Sequence, residues 1–313
     1  MIELEQVSKK YGSLTALREI SFTIGEQETV GLLGRNGAGK TTLLNLMTGY
    51  FPPTGGRVRI GGKDMMEEPG TCKRMIGYLP EKPPLYDEMT VVSYLRFVCE
   101  LREVKKKAIG GHVDEILGLC GLEEVRGRVL GHLSKGYRQR AGIAQALCGA
   151  PEVLIFDEPT VGLDPRQTVE IRQLIRRLSE DHTVIFSSHI LSEVQQACSR
   201  VIILEEGRMV RDVRAGEPEG DTLRVRLRIA GEEEKIMRTL RHLDGVTDAE
   251  RLPAEESGVT EARITAAAGG DRGAAMDRIF RMLADSGLCV RMMREERETL
   301  EEVFLRATEE EAG

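Results

Sequence analysis

The residues best suited to chemistry run Gly34-Arg35-Asn36-Gly37-Ala38-Gly39-Lys40-Thr41-Thr42, a G-x-x-x-x-G-K-T pattern. An apolar run, Val30 to Leu33, precedes it and a helix-like segment follows it to Met47. Strand, glycine-rich loop and helix is the context in which such a loop cradles phosphates. Gly34, Gly37 and Gly39 permit backbone conformations that a Cβ would forbid. The N–H groups from Asn36 through Ala38 to Thr42 then face one concavity, reinforced by the positive end of the helix. Lys40 supplies a cation for the phosphates, and the Thr41 hydroxyl can hold Mg²⁺.

Asp157-Glu158 follows a continuous apolar run, Val153 to Phe156, which reads as a strand buried on both faces. Carboxylates at the carboxyl end of such a strand fall beside the phosphate loop in open α/β sheets. Asp157 is a candidate Mg²⁺ residue, and Glu158 a candidate base for an attacking water. Ser134 opens a further helix as its N-cap, with Gly136 behind it, where free backbone donors can bind an anion. His189 ends the predicted strand Val184 to Ser187, where an imidazole can reach a γ-phosphate.

The elements that must hold these residues alternate strand and helix, which predicts α/β with a mainly parallel sheet. Strands are expected at Ile2 to Val7, Ile20 to Ile24, Thr29 to Leu33, Arg57 to Ile60 and Met75 to Leu79. A hairpin joins Val201 to Leu204 with Met209 to Val213. From about 81 to 148 the signal is helical, with Thr90 as a cap and helices over Val113 to Cys120 and Ser134 to Cys148. Residues 215–220 form a polar Gly/Pro linker. Beyond it, if Val246 to Leu252 is a strand, the order βαββαβ predicts a small ferredoxin-like α+β domain over 221–313, closed by a helix at Thr299 to Ala307.

Composition narrows the class. The chain has 313 residues, a net charge of −7, six scattered cysteines and no Trp. No stretch approaches the ~18 consecutive apolar residues of a membrane span. The N-terminus lacks the basic-then-apolar order of a signal peptide. Residues 216–313 hold 23 acids and 15 bases, so they carry −8 and the rest +1. Neither part has the basic character of a nucleic-acid binder, so no nucleic-acid partner is expected.

Taken together, Tyr11, the loop at 34–42, Leu133 to Gln139, Phe156 to Thr160, Gly162-Leu163-Asp164 and His189 resemble the ATP-binding cassette subunits of ABC transporters. The resemblance covers residues 1 to about 214. It implies the P-loop cassette fold, with Tyr11 stacking on adenine and Asp164 communicating between subunits. Ser134 and Gly136 would bind ATP held by an opposite subunit, so that a homo- or heterodimer encloses two ATP with Mg²⁺. The segment Leu133-Ser134-Lys135-Gly136-Tyr137 departs from the family's Leu-Ser-Gly-Gly-Gln. Glu81 stands where Gln is common, near Mg²⁺ and the γ-phosphate. Both variants resemble the branch serving ABC-2 type exporters. The resemblance therefore implies an ATPase, cytoplasmic and peripheral on the inner face of the membrane, driving a separate transmembrane permease. The alternative is a soluble ABC-type ATPase acting on ribosomes or nucleic acid.

Overall fold

The computed structural model describes residues 2–214, 222–254, 256 and 258–296. These fall into two compact units that divide between 214 and 222.

The first unit begins with β1 (Ile2–Tyr11), β2 (Leu14–Ile24), β3 (Thr29–Leu33), α1 (Lys40–Met47), β4 (Gly55–Ile60), β5 (Lys63–Asp64), α2 (Pro69–Arg74) and β6 (Ile76–Leu79). Helices α3 (Val91–Leu101), α4 (Lys106–Cys120) and α5 (Lys135–Leu147) follow. It closes with β7 (Val153–Phe156), α6 (Pro165–Leu178), β8 (Thr183–Ser188), α7 (Leu191–Ala197), β9 (Arg200–Glu205) and β10 (Arg208–Arg214).

Six strands form one sheet in the order β10-β9-β3-β8-β7-β6. All neighbours are parallel except the β9–β10 hairpin. β3, β7 and β8 are buried along their whole length, as parallel strands covered on both faces must be. A second, antiparallel sheet runs β2-β1-β4-β5. Ile2, Leu4, Ile20 and Ile24 from that sheet pack with Leu43, Leu44 and Met47 of α1 and with Val30, Ile155 and Ile202 of the parallel sheet. This shared core fixes where α1 starts, and so where Lys40 lies.

The helical region matches expectation, with one correction. α4 begins at Lys106 rather than near Val113, because Ile109, Val113, Ile116, Leu117 and Cys120 form one buried face. Gly110 and Gly111 hide that periodicity from the sequence. Thr90 caps α3 by accepting from Ser93 N–H. β5 and α2 have no counterpart in the sequence reading. β5 is only two residues long, and α2 starts with a proline and a glycine.

The second unit contains β11 (Thr222–Ala230), α8 (Glu233–Arg241), β12 (Val246–Leu252), β13 (Val259–Ala267), α9 (Arg272–Asp285) and β14 (Cys289–Glu295). Its antiparallel sheet has the order β12-β13-β11-β14, the split βαβ arrangement. Leu223, Val225, Leu227 and Ile229 of β11 are fully buried in its core. The alternate residues Arg226 and Arg228 pair with the buried Glu261 on the other face. The expected linker at 215–220 and the expected helix at Thr299 to Ala307 lie outside the described residues. Among the described residues no helix is long and apolar enough to cross a membrane.

A candidate nucleotide site at the ends of the parallel strands

β3 ends at Leu33 and the chain turns through the glycine loop into α1. Gly34 is required by proximity, since a Cβ there would lie 2.4 Å from the Leu204 carbonyl oxygen. Gly39 sits at φ 104° and caps α1 with no side-chain hydrogen bond, which leaves the first helical N–H groups for a ligand. Lys40 folds back over the loop. Its Nζ donates to the Gly34 carbonyl at 2.7 Å and lies 3.3 Å from Glu158 Oε1.

β7 delivers the two carboxylates. Asp157 is almost wholly buried. Its Oδ1 accepts from Ser187 Oγ at 2.6 Å, and the Thr41 hydroxyl lies nearby. Burial pushes its carboxyl above the ordinary range, helped by Glu158 and Glu81, while Ser187 and Thr41 pull the other way. Its Oδ2 is buried with no hydrogen-bond partner among the described residues. An orphaned anionic oxygen beside the Thr41 hydroxyl and two further carboxylates is a hard-oxygen donor set that fits Mg²⁺. Thr41, Asp157 and Glu81 would hold that ion. When bound, it would neutralise phosphate charge.

Glu158 adopts φ 47°, a left-handed backbone that costs a non-glycine residue about 1–2 kcal/mol. Its N–H donates to Ser187 Oγ at 2.8 Å. Its side chain bridges Lys40 through Oε1 and His189 Nδ1 through Oε2, the latter at 2.8 Å. His189 follows β8 and is 42% exposed. A carboxylate held between a cation and an imidazole can accept a proton from water while its neighbours stay on a phosphate.

Lys40, Thr41, Glu158 and His189 face an open cleft of about 700 Å³, whose walls also include Tyr11, Asn36, Gly37, Thr42 and Glu81, while Asp157 lines an adjoining cavity that shares Thr41 and Glu81. Tyr11, at the end of β1, meets Phe51 edge to face at 6.2 Å with Lys9 Nζ above its ring. It leaves an exposed aromatic surface suited to stacking. Ala38 is buried and supports the loop from beneath through its carbonyl, which accepts from Gly207 N–H.

Ser134, Gly136 and Asp164 do not line this cleft. Ser134 caps α5 by accepting from Tyr137 N–H, and Asp164 caps α6 by accepting from Gln167 N–H. Gly136 lies against Gln167, and Lys135 Nζ lies beside Gly162. The structure thus brings 134–136 and 162–167 into one cluster separate from the cleft. Sequence reasoning gave no role to Ser187, which hydrogen-bonds both acidic residues. Its only local signal is its place two residues before His189.

A phosphate loop, a strand-end carboxylate pair and a histidine on a mainly parallel sheet define a P-loop nucleotide-binding cassette. Residues 17–161 match the family model described as ABC transporter. The bacitracin transport ATP-binding protein BcrA of Bacillus licheniformis is 36% identical over 215 residues, which is 68% of this chain and 69% of that protein. The linearmycin resistance ATP-binding protein LnrL of Bacillus subtilis (strain 168) is 34% identical over 258 residues, 79% of this chain and 81% of its own. A dimeric cassette solved in a post-hydrolysis state with ADP and Pi superimposes with a TM-score of 0.63 at 27% identity. That match covers 68% of this chain and 98% of the solved one. The chain belongs to the ATP-binding proteins of ABC transporters.

Proposed function

We propose that this chain is the ATP-hydrolysing subunit of an exporter, working as a head-to-tail pair on a separate membrane permease. The observation that carries the reading is the Lys40–Glu158–His189 constellation at the mouth of the cleft. Tyr11 would stack on adenine, and the loop amides with Lys40 would hold the phosphates. Glu158 would take the proton from the attacking water, and His189 would hydrogen-bond the γ-phosphate. The separate cluster of Ser134, Gly136 and Asp164 fits a trans arrangement, because, lying outside the cleft, these residues would meet a nucleotide only if another copy supplied it. Export draws support from the relatives, whose names record bacitracin transport and linearmycin resistance.

Glu158→Gln tests this reading. The variant is expected to bind ATP, to lose hydrolysis by ~10²–10⁴-fold, and to sediment as a dimer in ATP and Mg²⁺. Wild-type turnover would remove the assignment of the base. A monomer at high concentration, alone and with the permease co-purified from membranes, would remove the paired arrangement.

A further inference from the structure

Glu193 is a buried carboxylate that the proposed chemistry does not use. It lies in the first turn of α7 and is 6% exposed. A single oxygen, Oε2, accepts from Thr160 Oγ1 at 2.8 Å and from Ser188 Oγ at 2.8 Å. Both donors are themselves buried. A charge in such a place is retained only where donors compensate its lost hydration.

The two donors are what give Glu193 its significance. Thr160 stands two residues after Glu158, in the turn that leaves β7. Ser188 immediately precedes His189, and its Oγ also accepts from Ile190 N–H at 3.0 Å. One carboxylate oxygen therefore ties the segment carrying the base to the segment carrying the histidine. Across that junction Glu158 and His189 meet at 2.8 Å. The turn after β7 holds Glu158 in a left-handed conformation, which persists only when neighbouring contacts over-determine it. Ser187 restrains the turn from the sheet side through Glu158 N–H, and Glu193 restrains it from the α7 side through Thr160.

We propose that Glu193 is a positioning residue for ATP hydrolysis, setting the Glu158–His189 geometry through Thr160 and Ser188. The proposal rests on the reading of Glu158 as the base. The side-chain hydrogen bonds of Glu193 go to Thr160 and Ser188 rather than to the phosphate loop or Tyr11, so its effect belongs to turnover rather than to nucleotide binding.

The test compares Glu193→Leu, Glu193→Gln, Thr160→Val and Ser188→Ala in the full chain. A displacement of the reacting groups by about 1 Å can cost ~10²-fold. Glu193→Leu is therefore expected to lower kcat about 10- to 100-fold with KM for ATP within about twofold of wild type. In Glu193→Gln the amide oxygen can still accept both hydroxyls, so kcat should stay within about threefold. Thr160→Val and Ser188→Ala each remove one of the two bonds without emptying the core, and should give intermediate losses even if Glu193→Leu folds poorly. In a His189→Ala background, Glu193→Leu should add less than about twofold, because residues acting through one contact are not additive. Full additivity, or a rise in KM with kcat intact, would overturn the proposal. A second readout needs no hydrolysis. The His189 ring resonances of the nucleotide-free protein should move in Glu193→Leu and hold in Glu193→Gln. Resonances unmoved in both would overturn the proposal even if wild-type hydrolysis were absent, an absence that would count against the proposed function alone.

Discussion

Asp157 shows how the site trades stability for chemistry. Its Oδ2 is buried without a partner among the described residues, and burial raises its carboxyl pKa. A buried charge without full compensation costs several kcal/mol, more than a buried amide. Asp157→Asn is therefore expected to raise the Tm of the protein in EDTA, by about 2–4 °C for each kcal/mol regained. The same variant should lose the further stabilisation that Mg²⁺ gives on top of ATP. A lowered Tm in EDTA would mean that the carboxylate is a structural ion rather than one poised for a metal. Glu81 faces the same cleft and carries a full charge where an amide would be neutral. Glu81→Gln should keep ATP hydrolysis but shift its Mg²⁺ dependence to higher concentration, since a hard-cation ligand loses its charge. Superimposable rate curves would place Glu81 outside the metal site. The phosphate loop and the acidic pair were legible because each is contiguous in sequence. Ser187 and Glu193 were not, because the partners that give them a role, Asp157 and Thr160, lie 30 and 33 residues away and neither residue type carries a local pattern.

At the level of elements, the glycines separate close packing from loose packing. Gly77 in β6 lies so near α5 that a Cβ would sit 2.0 Å from the Ala146 carbonyl oxygen. Backbone cannot rotate away as a side chain can. Gly77→Ala should thus cost at least about 2 kcal/mol and lower the Tm measurably. Gly111 lies inside α4 with nothing within 4 Å of an added Cβ. Gly111→Ala should gain about 0.5–1 kcal/mol through helix propensity. Equal and opposite Tm shifts are not expected; the β6 variant should dominate when both are measured by calorimetry. The same contrast explains what was readable. β3, β7 and β8 announce themselves because burial on both faces favours apolar residues in succession, as in Val153 to Phe156 and Val184 to Phe186. The start of α4 was obscured because two glycines, poor helix formers, stand between Ile109 and the rest of its buried face without breaking the helix. β5 was missed because its pairing with β4, Arg59 to Asp64 and Ile60 to Lys63 across Gly61-Gly62, is a hairpin arm of two residues, too short to show an alternating pattern.

At the scale of the whole chain, each unit has its own apolar core. Leu223, Val225, Leu227, Ile229, Ile236 and Leu240 close the second core within residues of that unit. Among the described residues, those lining the nucleotide cleft belong to the first unit. ATP should therefore stabilise the first unit by mass action, about 2.7 kcal/mol at a hundredfold excess over Kd, and should act on the second only if the two are coupled. Units of this size unfold cooperatively, and a small one has a modest margin because it buries a smaller share of its surface. Calorimetry of the full chain is expected to show two transitions. Only the one retained in a 1–214 truncation should rise when ATP and Mg²⁺ are added to Glu158→Gln. If both transitions rise together, the second unit senses the nucleotide state of the first. Its role would then be regulatory, and truncation should change ATPase turnover. If only the first rises, and turnover is unchanged by truncation, the second unit contributes neither to catalysis nor to its control. Its function would then be sought in assembly with the proposed permease.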